Sequence, residues 1–549
     1  MEYTDIYQKY SKSHDYMQEH QLVRKTDRNW DFYIGNQWKG LNSNGEELPT
    51  ANIIKQVVKY KVSTIAQNNM TANYTDTEDT PEYVDVYKEL NRRFSRSWDK
   101  SKMDEILWSA TKSAAIQGDT YVYFGSSNTN DIPQIISNTA ILFGDENIQN
   151  IQEQPYIIIV ERLPLARVKE IARENGISED DIDTIYTDDD TDDVVYNKKE
   201  VSDKVTSYLY FEKDKDGIVQ FARATKTCVY QELNPLIAEQ GGKQVGSAKR
   251  YPIVPFIWED KPNSARGVSE VEALIPNQIE INKTLARRAV AVRLAAFPRL
   301  AYDTTAIDDP SVLDKVGMAI GVNTGGAQSI TQAISYLNAT NISSDAQTLF
   351  NDLISQSKEL SGASDTALGN ININRTSGEA ITAIRDQTQM PLDEQVNRKQ
   401  KFVEDVALLW FDMWTTYDLG NFTMPITDSN GDPMSDEFGN KLTQNVTPDI
   451  LEKIKPNVKI DVSEDNRCTK LSEQQALDNL LGQKLISLDE YAKLLPSNSV
   501  LPVSKLQKVL QERAALQAQQ QAEQQQMLEQ QQMQQQMPTD EQMQQEGMQ

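Results

Sequence analysis

The stretch SARGVSEVEALIPNQIEINKTLARRAVAVRLAAFP, residues 264–298, decides how the rest of the chain is read. It opens on Ser264-Ala265-Arg266-Gly267-Val268-Ser269 and keeps a helical pattern from Glu270 to Ala296. Phe297-Pro298 stops it, because the residue before a proline is driven out of the helical region. Pro276 interrupts the approach, so the regular rod is expected from Asn277: about 20 residues, or roughly 30 Å at ~1.5 Å per residue. Residues 299–341 turn rich in Gly, Thr, Asn and β-branched residues, with Gly317, Gly321, Gly325 and Gly326 marking turns of a small β-containing insert. Ser344 with Gln347 three residues later is a capping-box signature. It opens a second rod of roughly 27 Å by the same rise, ending near Ser361-Gly362.

A polar loop, Ala363 to Thr376, follows and contains Gly369-Asn370-Ile371-Asn372-Ile373-Asn374-Arg375. Ser377 then caps a long helix from Gly378 to about Leu419, on the order of 60 Å. Pro391 should kink it, and Gly420 sits where a C′ glycine belongs. Two rods flanking a small insert, then a loop and a longer kinked helix, are hard to build as one globular enzyme domain.

Upstream, Tyr3, Tyr7 and Tyr10 share one helix face, and the run Asn29 to Trp38 ends a helix at Gly35. Asn52 to Met70 carries the helical set Ile53, Ile54, Val57, Val58, Val62, Ile65 and Ala66; Glu82 to Gln117 carries another, ended by Gly118. Strands follow: Thr120 to Phe124, the apolar run Tyr156 to Val160, and the alternating Val205 to Phe211. Asp214-Lys215-Asp216-Gly217 reads as a tight hairpin turn into Ile218 to Ala222. Leu163 to Glu174 is a short helix closed by Asn175-Gly176, and the acidic stretch Ser178 to Asp193 reads as an exposed loop. Downstream, Val458 to Val462 is a strand, Leu471 to Leu485 and Leu488 to Leu495 form a helical hairpin, and Val503 to Leu516 is a last amphipathic helix. From Gln517 onward Gln dominates without an apolar face, giving a disordered or fraying helical extension. The fold class is α+β, mostly helical.

At 549 residues the chain exceeds one compact core and requires several domains or an elongated, segmented subunit. Lys plus Arg number 55 against 81 Asp plus Glu, a net charge of −26. That balance argues against tight wrapping of nucleic acid, whose affinity comes largely from cations neutralising phosphates; it permits passing contact. Cys228 and Cys468 are too few for a disulfide framework or a cysteine-rich zinc site. His14 and His20 stand near the amino terminus, away from any His-dependent triad or metal centre. Met1 to Tyr10 lacks the layout of a signal peptide. No run approaches 18 apolar residues, so no membrane span is expected and the chain is read as cytosolic or released from cytosol. Asp214 to Gly217 resembles the start of a calcium loop, but no Glu stands at the twelfth position; Asp188, Asp189, Asp190, Asp192 and Asp193 read as a solvated run. There is no Gly-x4-Gly-Lys-Ser/Thr phosphate loop. No cofactor, metal or catalytic residue is expected.

Several segments, taken in order, resemble the portal proteins of tailed double-stranded DNA bacteriophages. They are Phe32 to Trp38; Asn52-Ile53-Ile54-Lys55; Gln117 to Val122; Tyr251-Pro252-Ile253-Val254-Pro255-Phe256; Arg266 to Glu272; Asn277-Gln278-Ile279-Glu280-Ile281-Asn282-Lys283; and Thr376 to Ile381. The resemblance is carried by the succession of Pro-Ile-Val-Pro-Phe, Gly-Val-Ser and Gln-x-x-x-Asn-Lys at this spacing.

The resemblance implies a portal fold and a ring, usually of twelve subunits, at one capsid vertex, with double-stranded DNA passing through its axis during packaging and ejection. Carried onto this chain, residues 1–263 and 376–465 would form the wing, the latter including the long kinked helix. Residues 264–296 and 343–361 would be paired stem helices and 297–342 the clip. Residues 362–375 would be the tunnel loop, 466–516 a helical crown and 517–549 the tail. The implied partners are the terminase motor, the major capsid protein and a head-tail adaptor. The implied location is the virion, after assembly in host cytoplasm. The activity would be structural, with packaging energy supplied by the separate motor.

A conduit for sliding DNA should be mostly acidic or polar with few basic residues, since each bound phosphate adds salt-dependent affinity. Lys283, Arg287, Arg288 and Arg293 on the first rod either meet phosphates in passing or pair with carboxylates of neighbouring rods. Asn370, Asn372, Asn374 and Arg375 of the loop can bond phosphates without a lysine cluster's charge. The stripe Leu285, Ala289, Val292 and Ala296 is expected to pack between subunits. Val403, Val406, Ala407, Trp410, Phe411 and Trp414 offer either ring-closing area or intramolecular core. The alternatives are a capsid or tail-connector protein without a DNA channel, and a carboxylate-dependent DNA-processing enzyme.

Overall fold

The structure, a computed structural model, describes residues 2–40, 48–66, 68–75, 84–125, 132–188, 203–240, 243–296, 299–302, 304–305, 311, 334–337, 344–363, 390–417, 423–425, 443–445, 454, 456–464, 477, 479–483, 486 and 491. The chain divides into two units, Met1–Ala66 with Met70–Val462, and Gln67–Asn69 with Ser463–Gln549. In the second, a helical turn is described, where Gln483 N donates to Asn479 O at 2.9 Å. The last amphipathic helix and the Gln-rich tail expected from the sequence lie outside the described residues.

The first unit opens with α1 (Tyr3–Glu19), α2 (Leu22–Ile34) and α3 (Ile53–Ala66). Gly35 ends α2 in the left-handed conformation, φ 103°, as its position after an apolar run requires. The helix expected to reach Met70 stops at Ala66, and Asn68–Thr75 is strand β1, paired with β16 (Asn457–Glu464). The helical stretch up to Gln117 is two helices, α4 (Val84–Lys100) and α5 (Met103–Gln117), broken where Lys102 takes φ 51°.

Two antiparallel sheets follow. The first has the order β11-β2-β3, with β2 Asp119–Tyr123, β3 Gln134–Ser137 and β11 Ile253–Ile257; Val254 stands opposite Val122. The second runs β4-β5-β6-β7-β8: Ile141–Phe143, Tyr156–Pro164, Lys204–Lys213, Val219–Ala224 and Val229–Pro235. Strand β6 alternates, as its sequence indicates, but between two cores rather than between core and water. Leu209 and Phe211 join Phe143, Ile157 and Phe221, while Tyr208 and Tyr210 join Ile6, Tyr10 and Met17 of α1. The β6–β7 hairpin closes at the expected turn, where Asp214 N donates to Ile218 O (2.9 Å) and Gly217 has φ 79°.

Between β5 and β6 lie α6 (Leu165–Glu174) and the single-turn α7 (Glu179–Ile182), capped by Ser178. The acidic stretch is therefore not all solvated loop: Asp188 is buried and pairs with Arg162 at 3.0 Å. Strands β9 (Ile237–Gln240) and β10 (Lys243–Ser247) form a hairpin before β11.

The central region then runs α8 (Glu270–Ala296), β12 (Arg299–Tyr302), β13 (Ile334–Leu337) and α9 (Ser344–Leu360). Strands β12 and β13 pair antiparallel, Arg299 opposite Leu337, so the insert contains β-structure as expected. A 3-10 turn, Met390–Leu392, leads into α10 (Asp393–Tyr417). The expected upstream arm of that helix, residues 377–389, and Gly420 lie outside the described residues. A short pairing of β14 (Thr423–Pro425) with β15 (Thr443–Asn445) precedes β16.

The main core gathers α3, α4, α5, α8 and α10 around aromatic rings. Trp410 lies 5.3 Å from Phe94, 6.2 Å from Trp98, 5.9 Å from Phe124 and 6.2 Å from Trp414, centroid to centroid. Val403, Val406, Ala407, Trp410 and Trp414 are all buried there, which settles them as intramolecular core. Lys399, buried on the same helix, donates to Ile65 O at the end of α3 (3.1 Å), and burial pushes its ammonium down to about 8.

Candidate functional site

Helix α8 is continuous across Pro276, which lies inside its 27 residues. A mid-helix proline removes one hydrogen bond and crowds the preceding turn, at a cost of roughly 3 kcal/mol. Tertiary anchors offset it. Val271, Leu274, Ile275, Gln278, Ile281 and Asn282 are buried around the proline. Lys61 pairs with Glu270 at 2.8 Å, and the Trp258 indole donates to the same carboxylate at 3.2 Å.

Gln278 and Asn282, one turn apart, hold the start of α3. Gln278 Oε1 accepts from Ile53 N (3.0 Å) and its Nε2 donates to Ala51 O (2.6 Å). Asn282 Oδ1 accepts from Ala51 N (3.2 Å), and its Nδ2 donates to Gln37 Oε1. Asn52 caps the same helix, accepting from Lys55 N (2.9 Å) while donating to Phe32 O and Tyr33 O. Three segments far apart in sequence, 32–38, 51–55 and 277–283, thus meet at one joint.

A second joint lies at the entry to α8. Gly118 and Gly267 cross backbone to backbone: a Cβ on Gly267 would stand 2.3 Å from Gly118 O. Ser269 Oγ donates to Ile116 O (2.6 Å) and accepts from Val271 N (3.0 Å), capping the helix while tying it to the end of α5. Just before it, Arg266 is buried among Glu146, Asp119 and Tyr121. Its guanidinium forks onto both Glu146 oxygens (2.9 and 2.8 Å), donates to Asn138 O (2.7 Å) and Ile141 O (2.9 Å), and lies 3.7 Å from Asp119. Burial alone would pull the Arg266 pKa down; Glu146, with Tyr121 and Asp119, holds it above its ordinary value. Burial pushes the Asp119 carboxyl up, against the pull of Arg266.

From these joints α8 leaves the core. Leu285 is half-buried, and beyond it Arg287, Ala289, Val290, Val292 and Arg293 are exposed, Val292 at 56%. Helix α9 runs antiparallel beside it: Asn277 Nδ2 donates to Ser357 Oγ (3.3 Å), and the Arg288 guanidinium lies over the Phe350 ring at 5.4 Å. At the end of α9 away from Ser357, Leu349 is 52% exposed. The paired rods therefore carry apolar side chains that none of the described residues covers.

The comparison with known families decides the affiliation: the profile described as Phage P22-like portal protein matches residues 8–549. The chain belongs to that portal family. No curated protein matches it. Portal proteins of this family are structural and non-enzymatic, so the carboxylate-enzyme alternative falls. Among the described residues no group of His, Cys, Asp and Glu is arranged to hold a metal, and no helix is long and apolar enough to cross a membrane.

Of the portal residues singled out in the sequence, Lys283 pairs with Glu280 of its own helix (2.7 Å). Arg288 turns toward α9, while Arg287 and Arg293 are exposed. The Ala296 side chain and Asn370, Asn372, Asn374 and Arg375 lie outside the described residues. Sequence reading missed that Gln278, Asn282, Asn52 and Arg266 are anchors. Their signal was present as an i, i+4 amide pair and an Asn before an apolar helix, but what they bind is remote in sequence.

Proposed function

We propose that the chain is one subunit of a closed ring, of about twelve copies, at one vertex of a phage capsid, through whose axis double-stranded DNA enters and leaves. The observation that carries this reading is the pair of rods rooted in the core and then bared, with Val290, Val292 and Leu349 exposed along them. Heterologous contacts that close by rotation would cover such side chains. In this reading α8 and α9 are the stem, β12 and β13 belong to the clip, and residues 362–375 form the tunnel loop. The clip would dock the terminase motor and later a head-tail adaptor, and the wing would meet the major capsid protein.

The stripe Leu285, Ala289, Val292 and Ala296 would lie between copies, and Arg287 and Arg293 would meet phosphates in passing. A net charge of −26 per chain suits a lumen that DNA slides through without adhering.

Electron microscopy of the purified chain tests the reading. Rings with a central opening of roughly duplex width are expected, and monomers alone at high concentration would overturn it. The double substitution Val290→Asp with Val292→Asp should abolish rings while moving the unfolding of the single chain by no more than about 0.5 kcal/mol, as exposed positions do. Size-exclusion chromatography with light scattering reads the first effect and denaturant titration the second. Replacing Asn370, Asn372 and Arg375 together by Ala should leave rings intact while reducing packaged or retained DNA. Normal packaging and retention in that variant would remove the assignment of the loop.

A further inference from the structure

We infer that the buried cluster of Arg266, Glu146, Asp119 and Tyr121 is a positioning device that fixes the direction of α8 and thereby how many copies close the ring. The inference rests on the ring reading above.

The cluster ties four residues of three segments to a residue four positions before the first residue of α8. Glu146 follows β4, Asn138 and Ile141 flank the β3–β4 connection, and Asp119 opens β2. Ala265 adds two more ties, its N donating to Glu146 O (2.8 Å) and its O accepting from the Tyr121 hydroxyl (3.2 Å). The Arg266 guanidinium also lies over the Phe143 ring, 4.6 Å from its centroid. Both sheets therefore hold one planar group at once.

Buried ion pairs add little net stability, because desolvation takes back most of the attraction; an apolar replacement of similar volume is often neutral or better. What a bidentate fork supplies is geometry. Geometry matters here because α8 is long. Its 27 residues span about 40 Å. In a ring of about twelve, one copy more or fewer changes the rotation between neighbours by roughly 2–3°. Beyond the anchor at Asn282 the part of α8 that leaves the core is about 21 Å long, and over that lever the same angle moves the far end by about 1 Å, enough to disturb an interdigitated apolar contact. A rod leaving the body must be aimed within that tolerance, and with the amide joint at Gln278 and Asn282 as the pivot, the loop 264–269 sets the aim.

The test compares copy number with stability. Arg266→Lys keeps the charge and loses the fork, Glu146→Gln keeps the shape and loses the charge, and Arg266→Met with Glu146→Met removes both. Val168→Ala, in the separate core under α6, controls for general destabilisation. Native mass spectrometry of assembled rings is expected to shift the commonest copy number by at least one, or to spread it over several values, in the Arg266 and Glu146 variants alone. Rings of wild-type copy number from the folded variants would overturn the inference, and so would the same spread in Val168→Ala. If the substitutions only lower the yield of folded chain and the rings that form keep the wild-type number, the cluster serves folding and the inference also fails. Absence of rings from the wild-type chain would instead sink the ring reading itself.

Discussion

Alanine at Gly267 is expected to cost the first unit about 3 kcal/mol or more and to yield little soluble protein at physiological temperature. The added Cβ would meet Gly118 O at 2.3 Å and the Ile257 side chain at 2.9 Å. The clash is with a carbonyl that cannot retreat, because Gly118 O already accepts from Trp258 N at 2.9 Å. Overpacking in a well-packed interior costs about 1–3 kcal/mol where side chains can give way, and backbone gives less. Gly118→Ala should be as damaging, since its Cβ would stand 2.6 Å from Gly267 O and Gly118 has φ +105°, which side chains rarely tolerate. Denaturant titration of the two variants is the check. A wild-type midpoint in either would mean that the two backbones do not cross as described.

Trp410→Ala should be the most damaging large-to-small change in the helical core, at about 3–5 kcal/mol. Its ring is 2% exposed and lies among Phe94, Trp98, Phe124 and Trp414. These come from α4, α10 and the end of β2, so the cavity would open where three elements meet. Trp108, 45% exposed on α5, supplies the contrast: its replacement by Ala should fall within about 0.5 kcal/mol. Thermal unfolding of the two variants side by side separates a core tryptophan from a surface one. Equal losses would contradict the packing.

The elements legible in the sequence were those whose signals are local. Gly35 and Gly217 announce a helix end and a hairpin, the spacing from Ser344 announces a rod, and of the segments that carry the family resemblance, 32–38, 52–55 and 277–283 meet at one joint and 117–122, 251–256 and 266–272 at another, while 376–381 lies outside the described residues. The misread elements were settled by distant partners. Asn68–Thr75 has little strand character of its own and becomes β1 because β16, at the other end of the first unit, pairs with it. The break between α4 and α5 carries neither Gly nor Pro; Lys102 adopts φ 51° because Trp98 and Met103 must both be buried. Pro276 was expected to delay α8, and the amide anchors at Gln278 and Asn282 carry the helix past it. Asp188 reads as one of many solvated acids, and it is Arg162, on β5 and 26 residues earlier in the chain, that holds it buried. Of the proposed channel residues, only those on the first rod are described, and Lys283 illustrates how a nearby Glu280 on the same helix can take up a cation.

The first helix is stitched to the five-stranded sheet at its edge and at its middle: Ser13 Oγ donates to Phe143 O of the edge strand β4 at 2.9 Å, and nearer the amino terminus Lys9 reaches Tyr210 and Glu212 on the central β6. A pull on the amino terminus would therefore be felt first by the most interior strand of that sheet, making the opening residues a mechanical handle on the body of the subunit.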